Sequence, residues 1–255
     1  MEENFKSSIQ KQLLAEGRSA AGKYREVTVG KKGFFFLLRY ELVILLFSRV
    51  PGALGFFLRR LFYPALLGEV GRGVVFGRNL TLRHPHKIRI GAHTTLDDNV
   101  VLDAKGEDNR GIDIGSNVYI GRNTILSCKQ GSISLGDFCN LSANCSLLSE
   151  TELTLGNYCF LAGRCYLVAG GNHSIDDITR PIMFQPSFSK GGIHIGEDVW
   201  LAAGAIVLDG VTLGPGCVVG AGSVVSRSFK EYSVVLGYPA SRIKDRRRPI
   251  GGSGA

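Results

Sequence analysis

The chain has 255 residues, 44% of them hydrophobic, which is enough for one large or two small domains and too apolar for a disordered chain. Its net charge of +8 would suit nucleic acid, but aromatic interleaving and a nucleic-acid motif are missing, so an anionic membrane surface or an anionic cofactor is the better partner. Six cysteines do not imply a disulfide scaffold, because Cys139, Cys145, Cys159, Cys165 and Cys217 share one repeat position that wants a small apolar side chain; they read as buried thiols in a reducing cytoplasm.

At the start of the chain, Phe5, Ile9 and Leu13 have helical spacing and predict a short helix within residues 1–16. No cleavable signal peptide is expected, since the first apolar run begins only at Phe34, behind a polar stretch. That run extends to Phe47, and after Ser48 to Pro51 a second follows over Leu54 to Leu67. A membrane-spanning helix needs about 20 apolar residues, and Arg39, Glu41 and Arg49 leave neither run long enough. The pair is expected to lie in or dip into one leaflet, its flanking basic residues meeting anionic lipid. The alternative is a cap over the next domain or a contact with neighbouring subunits, and both can hold at once. Residues 1–68 therefore form an N-terminal helical, membrane-associated segment.

From about residue 70 to 230 an aliphatic residue recurs every sixth position. The period is clearest in Ile195-Gly196-Glu197-Asp198-Val199-Trp200, Leu201-Ala202-Ala203-Gly204-Ala205-Ile206 and Leu213-Gly214-Pro215-Gly216-Cys217-Val218. Neither a helix nor an alternating strand has period six, whereas a short strand plus a tight turn does, and such hexapeptides build parallel β-helices. Counting from the aliphatic residue, the fourth position is Asn79, Asn99, Asn117, Asn123, Asn144, Gly204, Gly210, Gly216 or Gly222, residue types that tolerate the positive φ of a corner. The fifth is small or β-branched, as in Thr94, Val100, Val118, Thr124, Val199, Ala205, Val211 and Ser223. Three walls of about six residues close one coil, so residues 69–230 are expected to form an all-β solenoid of about seven coils, spaced by about 4.8 Å.

Two stretches break the period. Asp103 to Gly111 is a charged insertion, and His173 to Gly192 is a long loop holding Asp176, Asp177, Arg180 and Pro181. A loop as long as the second, without a regular pattern of its own, is usually functional or disordered. Basic residues crowd the first coils (Arg72, Arg78, Arg83, Lys87, Arg89) and the C-terminal cap and tail over 231–255 (Lys244, Arg246, Arg247, Arg248). The closing Gly251-Gly252-Ser253-Gly254-Ala255 has the composition of a linker. His84, His86, His93 and His194 lack the spacing that would place three imidazoles around one ion, so no metal is expected.

From Ile193 onward the sequence resembles the hexapeptide-repeat acyltransferases, specifically the galactoside, maltose and exopolysaccharide O-acetyltransferase group. The resemblance is carried by Ile195-Gly196-Glu197-Asp198-Val199-Trp200-Leu201, Gly210-Val211-Thr212-Leu213-Gly214, Gly220-Ala221-Gly222-Ser223-Val224-Val225 and Gly237-Tyr238-Pro239-Ala240. An apolar N-terminal pair followed by coils is also similar to the colanic-acid acetyltransferase branch. The resemblance implies a left-handed parallel β-helix, a homotrimer, and acetyl-CoA as donor in a groove between subunits. It implies His173 as the catalytic base. One imidazole suffices for a thioester, which is already activated, because only the acceptor hydroxyl's proton has to be removed.

The same resemblance places acetyl-CoA against Trp200, Ala203, Gly204, Ala221, Gly222, Ser226, Arg227 and Lys244. Ala202-Ala203 and Ser226-Arg227 depart from the commoner Gly-Ala or Gly-Ser and Thr-Lys, which leaves acyl-chain selectivity open. Ser142 and Asn144, one coil earlier, and Asp176 or Asp177 in the loop are candidate acceptor contacts; Asn144 is also a plain corner residue, and either aspartate would equally serve to orient His173 or sit on a solvated face.

The expected function is transfer of an acetyl group to a sugar hydroxyl of a lipid-linked or polysaccharide-precursor glycan at the cytoplasmic face of the inner membrane. His173 would stand four coils, roughly 20 Å, above the membrane element. The alternatives are another acyl donor, an acyl carrier protein, an amine acceptor, or a degenerate membrane-bound trimeric scaffold.

Overall fold

The structure, a computed structural model of the chain, describes residues 19–30 and 33–248. The short helix expected within 1–16 and the glycine-rich end lie outside the described residues.

Short strands separated by corners wind into a three-walled prism. Wall A runs from Glu69–Val70 through Ile88–Ile90, Ile112–Ile114, Ser132–Leu135, Glu152–Leu155 and Ile193–Ile195 to Thr212–Leu213. Wall B begins with Val75–Phe76 and wall C with Thr81–Arg83, and all neighbours on these walls pair in parallel up to Ser233–Gly237. This is the parallel β-helix anticipated from the six-residue period, of the left-handed kind that the resemblance implies. Seven coils are complete and Ser233–Gly237 begins an eighth on wall B, so the solenoid runs past residue 230. Only then does the chain turn back, as the antiparallel strand Ala240–Asp245.

The alternation within each rung explains the core. Leu96, Ile120, Leu141, Leu161 and Leu201 stack inside wall B, and Leu82, Leu102, Leu126, Leu147 and Leu167 inside wall C, all fully buried. Each contributes about 1.5–3 kcal/mol by leaving water. The fifth-position residues, including all five cysteines named above, are buried beside the corners, and the described cysteines are free thiols.

One corner is tied by side chains. Asn79, Asn99, Asn123 and Asn144 all have positive φ and pass an amide ladder upward, with Nδ2–Oδ1 distances of 2.9, 3.1 and 3.2 Å. The corner between walls A and B is different: Phe138 and Tyr158 hold φ of 57° and 59° and stack with ring centroids 5.2 Å apart.

The outer faces differ in character. Wall A shows Arg89, Asp113, Ser132, Ser134 and Thr154, whereas wall C shows Val101, Ile125, Leu148, Tyr166, Val168, Ile206, Leu208 and Val224. Wall C also turns Thr81, Arg83, Ser127 and Ser146 outward, so it is the more apolar of the two walls and not purely apolar.

Among the described residues three α-helices precede the solenoid: α1 (Ala20–Tyr24), α2 (Phe34–Phe47) and α3 (Gly52–Phe62). The sequence runs appear as α2 and α3, paired through the stacked rings of Phe47 and Phe62 at 4.4 Å. They close the lower end of the prism. Tyr40 donates its hydroxyl to the Leu82 carbonyl at 2.8 Å, and buried Arg59 donates to the carbonyls of Phe76, Val50 and Phe47 at 3.0, 2.8 and 3.2 Å. Their other side stays apolar and uncovered: Phe34, Phe35, Leu38, Leu42, Leu45 and Leu46 on α2, and Leu54, Phe57 and Leu61 on α3. No helix among the described residues is long and apolar enough to cross a membrane.

Candidate active site

The long break in the period leaves the prism at the C-to-A corner of the fifth coil. Gly170 and Gly171, with φ of 91° and 74°, turn the chain outward after Tyr166–Ala169. Asn172–His173 then pairs antiparallel with Ser187–Phe188, so the loop leaves and returns on a two-rung stem.

His173 is exposed on that stem, and its Nδ1 faces the Gln185 carbonyl at 3.5 Å. A carbonyl can only accept, so the tautomer with the proton on Nδ1 is favoured and Nε2 is left with a free lone pair. Gln185 is itself buried, and its Nε2 donates to the carbonyls of Asp177 at 2.8 Å and Arg180 at 3.2 Å. Asp177 accepts from the Thr179 hydroxyl at 2.6 Å and its N–H at 2.9 Å, which, with Arg180 nearby, hold its carboxyl below the usual carboxylate range. Asp176 accepts from the Ser174 hydroxyl at 3.2 Å. Neither aspartate touches His173, so orientation comes from the Gln185 backbone instead.

The base of the loop is tied to the next coil by Asp209. This carboxylate is only 6% exposed and accepts from Asn172 Nδ2 at 2.8 Å, Ser189 Oγ at 3.2 Å, Lys190 N at 2.5 Å and Gly192 N at 2.9 Å. Burial pushes its pKa up, but the N–H groups of Lys190, Gly170 and Gly192 and the Ser189 hydroxyl outweigh that and hold the carboxyl below its ordinary value.

The expected donor-binding residues fall on separate faces of one chain. Trp200 and Lys244 meet on wall B in a groove of about 640 Å³, together with Tyr158, Phe160, Asp198 and Arg246. Phe160 pairs in register with Trp200 and their rings lie nearly parallel, 6.5 Å apart. Arg246 is held by Asp198 at 2.7 Å. Ala203, Gly204, Ala221 and Gly222 stack instead on the B-to-C corner, where Gly222 N donates to the Ala203 carbonyl at 2.9 Å. A Cβ on Gly222 would meet nothing within 4 Å, so that edge is an open track. Ser226 and Arg227 lie at the C-to-A corner, with Arg227 over the Phe229 ring at 5.5 Å.

Ser142 and Asn144 sit on the B-to-C corner of the fourth coil. Asn144 ends the amide ladder, and the Ser142 carbonyl accepts from the Thr124 hydroxyl at 3.1 Å. Within one chain this corner is not the one from which the His173 loop springs. Among the described residues no three His, Cys, Asp or Glu side chains group as a metal site.

Sequence reasoning missed Asp209, Gln185, Tyr158 and Phe160. Asp209 gave one signal, a carboxylate in the otherwise apolar Val207-Leu208-Asp209-Gly210-Val211 run just after the loop. Gln185 gave none, because its role depends on how the loop folds back.

Residues 192–227 match the family described as bacterial transferase hexapeptide (six repeats), and residues 111–149 match the hexapeptide repeat of succinyl-transferase. A probable acetyltransferase, Rv3034c of Mycobacterium tuberculosis, is 32% identical over 136 residues, covering 53% of this chain and 45% of that protein. The galactoside O-acetyltransferase of Lactococcus lactis is 31% identical over 133 residues, covering 50% of this chain and 59% of that protein. The chain thus spans about half the length of these curated relatives. Among solved structures, the polysialic acid O-acetyltransferase OatWY superposes with a TM-score of 0.52 at 22% identity, over 73% of this chain and 87% of that one, which shows the fold. Repeats, prism and relatives agree: over residues 111–149 and 192–227 the chain carries the hexapeptide repeat of bacterial transferases, and it is similar to acetyltransferases built on that repeat.

Proposed function

We propose that this protein is an O-acetyltransferase that moves an acetyl group from acetyl-CoA to a sugar hydroxyl of a lipid-linked or polysaccharide-precursor glycan, at the cytoplasmic face of the inner membrane. The observation that carries the reading is His173: an exposed imidazole on a knitted loop, with Nδ1 turned to a carbonyl and Nε2 free. Nε2 takes the proton of the acceptor hydroxyl as that oxygen attacks the thioester carbonyl, and the thiolate of CoA leaves. General base catalysis of this kind typically supplies about 10²–10⁴-fold. The relatives named as acetyltransferases support the acyl chemistry.

The residues fit a CoA donor. The wall B groove offers aromatic faces with Lys244, Arg246 and Arg248 at its rim, and the Gly204–Gly222 edge leaves room for a thin chain against backbone. These elements lie on different faces of one prism, and two adjacent copies would bring them together. The largely apolar outer face of wall C, with Tyr166 and Leu208 exposed among half-buried Val101, Ile125, Leu148, Val168, Ile206 and Val224, supports such packing as a homotrimer.

The uncovered apolar sides of α2 and α3, edged by exposed Arg39, Arg49 and Arg60, support attachment to an anionic leaflet. His173 belongs to the fifth coil, four rungs above the first, or about 19 Å from the capped end. That height suits a glycan carried on a lipid diphosphate.

The test is CoA release from acetyl-CoA in the presence of lipid-extracted membrane glycolipids, wild type against His173→Ala, with the acetylated product identified by mass spectrometry. Equal rates exclude His173 as the base. Acetylation of an amine instead of a hydroxyl excludes the O-acetyl reading.

A further inference from the structure

We propose that Asp209 is a positioning residue for His173: its buried carboxylate clasps both stems of the 170–192 loop to the sixth coil and so fixes where the imidazole stands. The proposal rests on the reading of His173 as the base, and it adds a residue to which neither the repeat nor the relatives assign a role.

The geometry is specific. Asp209 lies in the C-to-A corner of the coil directly above the loop. On the outgoing stem it accepts the Asn172 side-chain amide at 2.8 Å, one residue before His173. On the returning stem it accepts Lys190 N and Gly192 N at 2.5 and 2.9 Å and the Ser189 hydroxyl at 3.2 Å. The next residue completes the attachment, since Gly210 N donates to the Gly192 carbonyl at 2.7 Å and a Cβ on Gly210 would strike Lys190. One side chain thus joins two stems about twenty residues apart in sequence to a third segment that belongs to the rigid prism.

The chemistry requires a carboxylate. Every partner in the clasp is a donor, and only an ionised carboxylate has acceptor capacity for four of them with no donor of its own. An amide at this position would turn an N–H toward Lys190 N or Gly192 N. Charge-assisted bonds to a buried carboxylate are about twice as strong as neutral ones, so the loop base is the firmest part of an otherwise exposed excursion. Its outer part is held locally, through Gln185 and Asp177. Without the clasp, the His173 stem would remain attached to the prism through Gly170 and Gly171 alone on its outgoing side, and both are glycines with positive φ that permit swinging.

Displacing a base by about 1 Å can lower turnover about 10²-fold without altering donor binding. The donor groove on wall B does not involve Asp209, so the expected signature is a split between kcat and KM.

The experiment compares the full chain as wild type, Asn172→Ala, Asp209→Asn and Asp209→Ala, with His173→Ala as reference. Three readouts are taken: hydrogen exchange of segment 170–192, the imidazole Cε1–H resonance of His173, and CoA release from acetyl-CoA with extracted membrane glycolipids. Expected are fast exchange at Lys190 and Gly192 and a broadened or shifted His173 resonance in both Asp209 variants. CoA release falls about 100-fold for Asp209→Ala and about 10-fold for Asn172→Ala, with KM for acetyl-CoA within about twofold. If Asp209→Ala fails to fold, Asn172→Ala carries the test, since it removes only the contact beside His173. Unchanged exchange and an unchanged His173 resonance in Asp209→Asn and Asn172→Ala overturn the proposal, and so does a rise in KM that accounts for the whole loss of rate. If instead His173→Ala keeps the wild-type rate while the Asp209 variants still release the loop, the reading of the base fails and the clasp stands.

Discussion

His173 stands directly across from Ser187 in the antiparallel stem of the long loop, two residues after the carbonyl of Gln185 that its Nδ1 faces. Among the described residues the imidazole is therefore oriented by backbone and not by a carboxylate.

Replacing His173 by Ala or Gln should lower acetyl transfer by about 10²–10⁴-fold. The side chain is exposed and outside the prism, so the melting temperature should stay within about 2 °C, as for other surface substitutions. Steady-state kinetics beside a thermal melt checks both halves.

Lys244→Ala should raise KM for acetyl-CoA with little change in kcat. Lys244 shares the wall B groove with Trp200 and Arg246, on a different wall from the corner where the loop stem leaves the prism. A charge-assisted contact to a phosphate is worth about 1.5–3 kcal/mol, or roughly 10- to 150-fold in binding. Calorimetric titration with CoA reads this directly.

Much of the fold could be read from residue type alone. Asn79, Asn99, Asn123 and Asn144 mark one corner because asparagine tolerates positive φ. The same test could not find the Phe138 and Tyr158 corner, where aromatic residues hold positive φ because the coils above and below impose it and their stacked rings repay part of the strain. The break at His173 is visible in the sequence as missing beats, and the resemblance singles out His173 at its start. Its fastening is not visible, since Asp209 lies 36 positions further on and meets Asn172 only when the next coil closes. The end of the solenoid was also hidden, because the irregular stretch before Ser233 interrupts the period although the chain still completes another rung.

The asparagine ladder gives a clean stability test at Asn123, which donates to Asn144 and accepts from Asn99. Asn123→Gly keeps the left-handed corner and should cost at most about 1 kcal/mol for two exposed amide bonds. Asn123→Val has a branched Cβ at φ 58° and should cost about 2–3 kcal/mol. Guanidinium unfolding of the two variants separates conformational strain from the lost hydrogen bonds.

Docking of the N-terminal segment should weaken in mild acid. His84 Nε2 donates to the Glu26 carbonyl at 2.8 Å and its ring fills the space over Gly30. Burial pushes its pKa below the ordinary 6.5; the Glu26 carbonyl and Asp103 act in the opposite direction, and Lys87 and Lys105 with the burial. The folded state therefore disfavours the proton that the unfolded state accepts near pH 6.5. The stabilisation is fully present above that pH and is lost progressively as pH falls below it. Hydrogen exchange of residues 25–30 at pH 7.5 and 5.5 should show faster opening at the lower pH, and His84→Gln should flatten the difference.

The exposed sides of α2 and α3 yield the last prediction. Phe35, Leu45 and Phe57 are 84%, 78% and 61% exposed, so they contribute little to the prism. Their partners across each helix, Tyr40, Val43 and Arg59, hold the cap in place. Changing the three to Ser should leave thermal stability nearly unchanged while removing roughly 1.5–3 kcal/mol of apolar contact per side chain from any lipid-bound state. Binding to vesicles of mixed phosphatidylglycerol and phosphatidylcholine should then fall by at least about 10³-fold. The basic residues Arg39, Arg49 and Arg60 add about 1 kcal/mol each near an anionic surface, and that part should fade in high salt while the apolar part persists. Wild-type binding that vanishes entirely in high salt would assign the attachment to charge alone. Wild-type indifference to vesicles would leave these side chains to a protein partner.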